Sequence, residues 1–268
     1  MRLAEWIDVG RIDELGRLDT PVHRLDARAK AVTVLAYIAC VMSYHRYEVV
    51  ALAPLALFPI VMSSLGRIPW GFLWRRMLVA APFVLAVAVF NPLLDRAQVT
   101  ALGPIGISGG WLSFSSIMLR FVLTVSAALA LIACTGIYDL CSGMERLGLP
   151  GIFASQILFL HRYLFVLGDE AQRLARGLAV RGFRPRVLRL RVYGSLLGHM
   201  LLRSVARAER IYCAMVARGF DGTIRTQRPG MLRLSDAAFV FGWAGYFAAA
   251  RAWNLSALLG DWLVRVAR

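Results

Sequence analysis

Side chains that could bind a metal or act as nucleophiles are scattered along this sequence. The histidines and cysteines form no His/Cys pair at the spacing of a metal site, and the cysteines show no CxxC motif. We interpret the cysteines as small hydrophobic residues, the histidines as membrane-boundary residues and Asp26 as a helix cap. The histidines and cysteines are His23, His45, His161, His199, Cys40, Cys134, Cys141 and Cys213. We therefore predict that the chain itself holds no metal and no cofactor.

Catalytic motifs are equally hard to find in the sequence. It contains no Gly-Lys-Ser/Thr phosphate-binding loop, no nucleophile elbow and no paired-carboxylate motif. The adjacent acids Asp169 and Glu170 fall within a helical pattern, where pairing with Arg173 at helical spacing is the simplest role. We predict that the chain is not an enzyme and does not hydrolyse ATP by a Walker-type loop.

Arginine followed by glycine is a recurring pair with binding potential, because a guanidinium offers several fixed donors to carboxylates and carbonyls. Three such pairs occur, about the number that chance predicts for 30 Arg and 23 Gly in 268 residues. Two of them, in Val180–Phe183 and Ala217–Phe220, end amphipathic patterns, with Gly as a left-handed C-cap. These two arginines either form a two-pronged docking device or satisfy helix C-terminal carbonyls or lipid phosphates.

The composition is not that of a water-soluble domain. Hydrophobic residues make up 59% of the chain, and 30 Arg with one Lys give a formal net charge of +15. Such a charge favours acidic partners: membrane lipids, nucleic acid or an acidic protein surface. Acidic residues precede the first apolar run, which is atypical of a signal peptide, so we expect the N-terminus in the cytoplasm. The chain is therefore predicted to be a membrane protein that crosses the bilayer several times.

Five mostly apolar stretches are candidates for spanning helices, which need about 20 such residues, and the first of them is short. Arg120 interrupts the fourth, and we expect Asp95 or solvent as its partner. The segment LGPIGISGGW before the fourth is predicted to be a loop. Arg67, Arg75 and Arg76 place the connection between the second and third spans in the cytoplasm. The five spans are Ala31–Tyr44, Val49–Leu65, Met77–Leu94, Trp111–Gly136 and Ala237–Ala250.

Residues 137–234 are rich in arginine, with 16 Arg against six acidic residues. Apolar residues recur every three or four positions from Ile157 to Leu178 and from Val187 to Met215, which predicts two long amphipathic helices. Charged residues such as Asp169 and Arg207 interrupt both patterns. We therefore expect these helices to lie along the inner face of the membrane rather than to span it.

The chain is thus predicted to be an all-α integral membrane protein with about five transmembrane helices and long amphipathic cytoplasmic helices. Residues 1–30 form a cytoplasmic or interfacial segment, and residues 31–136 hold four spans. Residues 137–235 form the cytoplasmic helical region, and residues 236–268 hold the last span and a tail. The path of residues 251–268 is left open.

Three segments carry a resemblance to a known family: HRLDARAK (His23 to Lys30), HRYLFVLGDEAQRL (His161 to Leu174) and RSVARAERIYCAMVARGFDG (Arg203 to Gly222). They resemble the transmembrane coupling subunit of energy-coupling factor transporters, most closely its CbiQ/NikQ branch, which is associated with cobalt and nickel uptake. The likeness covers nearly the whole chain. The third segment is the most specific, since many positions match over twenty residues.

The resemblance implies a subunit that joins a substrate-binding membrane protein to two cytoplasmic ATPases. In the family, Ala-Arg-Gly motifs of coupling helices sit in grooves on the ATPases. Ala217, Arg218 and Gly219 match that motif fully. The first motif departs from it, with Val180 before Arg181 and Gly182, and Ala175-Arg176-Gly177 offers a competing register. We choose Arg181 because its Gly-Phe continuation parallels that of Arg218.

The implied partners are two CbiO-like ATPases, a CbiM-like substrate-binding subunit and a small CbiN-like accessory subunit. Cobalt or nickel is the expected cargo, with a vitamin importer as the alternative. In a different class, the chain could be a membrane-anchored binder of nucleic acid or anionic lipid. Nucleic acid is disfavoured, because the basic region lacks aromatic stacking motifs and a recognisable reading module.

Overall fold

The computed structural model describes residues 15–16, 18–45, 49–94, 98–102, 105–181, 190–222 and 232–252. The described chain is mostly α-helical, with a 3₁₀ helix at Val50–Ala56 and one β-hairpin. Its α-helices are α1 (Ala27–Met42), α2 (Leu57–Leu65), α3 (Trp70–Leu94), α4 (Gly109–Thr135), α5 (Ile137–Arg146), α6 (Gly151–Arg181), α7 (Leu190–Val216) and α8 (Leu234–Ala252).

The chain divides into two compact units, and one is inserted into the sequence of the other. We call Met1–Met144 together with Pro229–Arg268 the bundle unit, and Glu145–Arg228 the inserted unit. The bundle unit contains α1 to α4, the 3₁₀ helix, the hairpin, α8, and α5 as far as Met144. The inserted unit contains α6 and α7.

Three helices of the described chain are long and apolar enough to cross a membrane: Trp70–Pro92, Gly110–Thr135 and Gly151–Leu178. The first two confirm the predicted third and fourth spans. The first predicted span forms α1, which has 16 residues and is shorter than the usual spanning length. The second is divided into the 3₁₀ helix and α2, because Pro54 has no N–H to donate to an α-helical bond. The fifth is helical and forms most of α8.

The prediction that α6 is too polar to span the membrane is wrong, because α6 is long and apolar enough to cross it. Its acidic residues and all but one of its arginines lie in the second half of the helix. Between Gly151 and Gly168, Arg162 is the only charged residue. The charges of the second half led to the whole helix being predicted as too polar, although its first half is apolar.

The segment predicted as a loop before α4 forms half of an antiparallel hairpin. Strand β1 (Gln98–Leu102) pairs with β2 (Ile105–Ser108), with Leu102 opposite Ile105 and Thr100 opposite Ile107. Isoleucine at alternate positions of β2 favours an extended strand. The hairpin is an addition to the predicted all-α fold.

The core of the bundle unit is an aromatic cluster around Phe58, whose side chain is fully buried. Its ring centroid lies 4.7 Å from Tyr37, 4.8 Å from Trp243 and 5.4 Å from Phe247. The Tyr37 hydroxyl donates to the Leu55 carbonyl at 3.1 Å, and the Tyr246 hydroxyl donates to the Pro54 carbonyl at 2.7 Å. Two tyrosines thus pair carbonyls of the 3₁₀ helix, as a membrane interior without water requires.

Arg120 is paired with the backbone at the end of α1. Its Nη2 donates to the carbonyls of Tyr44 and His45 at 2.8 and 2.9 Å. The predicted partner Asp95 lies outside the described residues. Two carbonyls therefore accept from one nitrogen of a guanidinium within a spanning helix, where an unpaired charge is costly.

Candidate coupling site

Helix α7 ends in a Schellman motif built around Gly219. The N–H of Phe220 donates to the Met215 carbonyl at 3.0 Å, and that of Gly219 donates to the Val216 carbonyl at 2.9 Å. Gly219 has φ +82°, a left-handed conformation that side chains disfavour. The structure confirms the predicted left-handed glycine cap at this helix end, and Arg218 occupies the C-cap position.

Arg218 is exposed on this cap, together with Ala217 and Gly219. The carbonyls of Cys213, Met215 and Val216 all accept backbone N–H groups of the turn. Because the backbone already satisfies these helix-end carbonyls, they do not need the guanidinium of Arg218. The backbone therefore takes the capping role at these carbonyls, and docking of Arg218 stays a prediction beside contact with lipid phosphates.

The turn after Arg218 is anchored to the first half of α6. The ring of Phe220 lies 6.4 Å from that of Phe159 in an edge-to-face arrangement. The Ser155 hydroxyl donates to the Gly222 carbonyl at 3.2 Å, and Gly222 has φ +90°. Arg218 is therefore presented from a turn that is fixed at both ends.

Glu170 joins the two long helices of the inserted unit. Its carboxylate accepts from Arg207 Nη2 at 3.0 Å and lies 3.7 Å from Arg203 Nη1, and its side chain is 16% exposed. The prediction that this acidic stretch pairs with Arg173 on the same helix is therefore wrong for Glu170. The carboxylate connects α6 to α7, and the nearest guanidiniums come from the facing helix.

The first predicted motif lies at the end of α6. The described helix extends to Arg181, and Val180 is 87% exposed. Gly182 lies outside the described residues. The competing pair Arg176-Gly177 is inside the helix, five residues before its end. The pair Arg176-Gly177 therefore does not end a helix, and the choice of the register that contains Arg181 stays a prediction.

Within the described chain no group of three or more His, Cys, Asp or Glu side chains could hold a metal ion. His161 is buried, and its ring lies edge-to-face on Phe165 with centroids 5.2 Å apart.

A polar cluster that sequence reasoning missed lies at the N-terminus of α1. The Asp26 carboxylate accepts from the Arg28 N–H at 2.9 Å, which confirms the predicted helix cap. Lys30, 2% exposed, donates from Nζ to the Cys134 carbonyl at 2.9 Å. Asp236, also 2% exposed, accepts from the Asp26 N–H at 3.0 Å. A signal was present in the sequence, because Lys30 is the only lysine in a chain with 30 arginines.

His23 precedes this cluster and is held on both ring nitrogens. Nε2 lies 2.9 Å from the Leu15 carbonyl, and Nδ1 lies 2.7 Å from the Thr20 hydroxyl. Because a carbonyl only accepts, Nε2 carries a proton and donates to Leu15. Burial lowers the pKa of His23, with the charge of Lys30 acting in the same direction.

The sequence matches the family model described as "Cobalt transport protein", CbiQ, over residues 19–229. The chain belongs to this family. It is 28% identical to the energy-coupling factor transporter transmembrane protein EcfT of Bacillus subtilis over 221 residues, which cover 75% of this chain and 81% of that protein. The EcfT of Heliobacterium modesticaldum is 25% identical over 88% of this chain and 94% of its own length. The nickel permease LarQ of Lactiplantibacillus plantarum is 30% identical over 49% of this chain and 52% of that protein.

This CbiQ-family chain is therefore the transmembrane component of an energy-coupling factor transporter and has no catalytic role. It is a multi-pass protein of the bacterial inner membrane, in agreement with its apolar helices. Family membership confirms the resemblance carried by the three sequence segments.

Proposed function

We propose that this CbiQ-family chain transmits the movement of two cytoplasmic ATPases to a substrate-binding membrane subunit. Arg181 and Arg218 are the residues that dock on the ATPases, with Val180 and Gly182 around the first and Ala217 and Gly219 around the second. Closure of the ATPases on ATP displaces the two helix ends relative to each other. That displacement acts on the membrane helices and on the subunit that holds the substrate.

The observation that carries this proposal is the presentation of Arg218. Its guanidinium is exposed, the surrounding backbone groups are paired within the Schellman turn, and the turn is held on α6. A planar guanidinium on an ordered turn suits an acidic groove with carboxylates or carbonyls, because the backbone that carries it needs little further ordering on docking.

Copurification of the intact transporter tests the docking residues. We expect Arg218→Glu to lower the amount of bound ATPase at least about tenfold, since charge reversal places like charges together in the groove. Arg210→Glu is the matched control, because Arg210 is also exposed and lies on α7 outside the motif. Equal retention of the ATPases by both variants contradicts the proposal.

A second pair of variants tests the register of the first motif. Arg181→Glu is expected to weaken ATPase binding, and Arg176→Glu to leave it near the wild-type amount. The reverse result places the docking residue in Ala175-Arg176-Gly177. Binding of the isolated chain to anionic vesicles, lost in Arg218→Glu while ATPase binding persists, supports the lipid-binding alternative instead.

For the cargo we infer a cobalt or nickel ion, carried by a CbiM-like subunit with a CbiN-like accessory subunit. The family description and the name of the LarQ relative, a nickel permease, support this inference. The two ATPases are then CbiO-like. Uptake of radioactive Co²⁺ and Ni²⁺ by cells that express the complete operon tests it, and ATP-dependent uptake of a vitamin without either metal contradicts it.

A further inference from the structure

The two chain connections to the inserted unit lead into neighbouring parts of the bundle unit. The chain leaves the bundle unit through the end of α4 and then α5, and it returns into α8. Each of these three elements contacts the same short stretch, from Asp26 to Lys30 at the start of α1. All of these contacts lie within the bundle unit.

The end of α4 is held by Lys30. Its Nζ donates to the carbonyl of Cys134, one residue before the helix ends at Thr135. A buried ammonium is costly unless it is paired, and the C-terminal end of a helix carries partial negative charge. The single lysine of the sequence therefore ties α1 to the last turn of α4.

Helix α5 lies against the same turn of α1 at Gly143. A Cβ atom on Gly143 would lie 2.9 Å from the Cβ of Ala27 and 3.3 Å from the backbone nitrogen of Arg28. The two helices thus touch backbone to backbone, with no room for a side chain. A displacement of α5 towards α1 therefore moves α1 as well, since close-packed atoms cannot approach further.

The start of α8 is held by Asp236. One carboxylate oxygen accepts from the Asp26 N–H at 3.0 Å, and the other accepts from the Arg233 N–H at 2.7 Å. Asp26 is the N-cap of α1, and Arg233 immediately precedes α8. One buried carboxylate thus ties the positive ends of two helices.

We propose that the first turn of α1, held by Lys30, Gly143 and Asp236, passes the movement of both ends of the inserted unit to the membrane bundle. This inference rests on the proposed coupling function. The three contacts make the end of α4, α5 and the start of α8 move with the first turn of α1 as one body. When one contact is lost, the inserted unit still follows the ATPases, but α1 no longer follows the inserted unit. ATP hydrolysis then continues without a matching amount of transport.

Two variants of the complete transporter test this proposal in proteoliposomes. Lys30→Met keeps an unbranched side chain and removes the donor to Cys134. Asp236→Asn keeps one acceptor oxygen and turns an NH₂ group towards one of the two N–H groups. We expect substrate transported per ATP hydrolysed to fall about tenfold in each, with hydrolysis itself within about twofold of wild type. Asp19→Asn, which breaks the exposed pair with Arg24, is the matched carboxylate control.

The readout is a ratio measured on assembled complexes, so a variant that folds in low yield reports the same quantity. Gly143→Ala should lower the ratio by overlap with Ala27, and Gly143→Ala/Ala27→Gly should restore it. A wild-type ratio in Lys30→Met and Asp236→Asn overturns the proposal, and so does a failure of the double variant to recover. The proposed function fails differently, through retention of the ATPases by Arg218→Glu.

Discussion

Both units of this chain expose apolar side chains, but the connected core of buried apolar residues in the described chain lies in the bundle unit. In the bundle unit, Tyr37, Leu52 and Phe58 are fully buried in a shared core. In the inserted unit, Leu197, Leu201 and Leu202 of α7 are each more than 60% exposed. A unit that buries its own apolar surface gains stability from folding. A unit that leaves such surface open keeps it for contacts with lipid or another subunit.

The largest effect is expected from the same substitution made once in each unit. Leu52→Ala leaves a cavity in the bundle core and should lower the free energy of unfolding by about 2–5 kcal/mol. Leu201→Ala, at a site that is 64% exposed, should change it by less than about 0.5 kcal/mol. Thermal unfolding of both variants in detergent checks the difference. Equal losses would remove the contrast between the units.

A smaller loss of stability is expected where a side chain of the bundle core donates a hydrogen bond to a backbone carbonyl. Tyr37→Phe removes the hydroxyl that donates to the Leu55 carbonyl and leaves the ring in place. We expect a loss of about 1–2 kcal/mol in unfolding free energy, because a buried carbonyl then lacks this donor. The measurement is again thermal unfolding. Tyr212→Phe on α7, where the side chain is 60% exposed, is the control and should be near neutral.

The ion pair of the inserted unit should contribute less. Glu170→Gln removes the charge that Arg203 and Arg207 approach, and we expect a loss of at most about 1 kcal/mol, because both arginines are partly exposed to solvent. The loss should shrink as salt rises from low ionic strength to about 1 M, where the screening length is short. An effect that does not depend on salt would indicate packing rather than charge.

The smallest effect concerns pH. Since burial lowers the pKa of His23, its imidazole binds the charging proton more tightly in the unfolded chain than in the folded chain. The contribution of neutral His23 to stability is therefore fully present above about pH 6.5, the ordinary pKa, and is lost as pH falls below it. We expect the melting temperature of wild type to fall more between pH 7.5 and 5.5 than that of His23→Gln, which keeps a donor for Leu15. Parallel falls contradict this assignment.

Local patterns in the sequence predicted much of this fold. Two spans appear as α3 and α4, and Asp26 caps α1. The glycine after Arg218 takes the left-handed conformation that the helix end requires. These features depend on residues within one helix or one turn, so periodicity and capping rules are sufficient.

The features that the sequence did not predict depend on partners far along the chain. Arg120 pairs with carbonyls 75 and 76 residues earlier, Glu170 with Arg207 37 residues later, and Lys30 with a carbonyl 104 residues later. Such contacts are set by how helices pack, which spacing along one helix does not encode. The expectation for α6 failed for another reason, since it judged a long helix by its more polar half.

Burial of Lys30 has a practical consequence for chemical labelling. The chain has one side-chain amine, and that amine is 2% exposed in the folded bundle. Amine-reactive reagents therefore have almost no access to it while α1, α4 and α8 stay together. Modification of this single position provides a direct measure of how often the bundle opens at that end, without any residue having to be introduced.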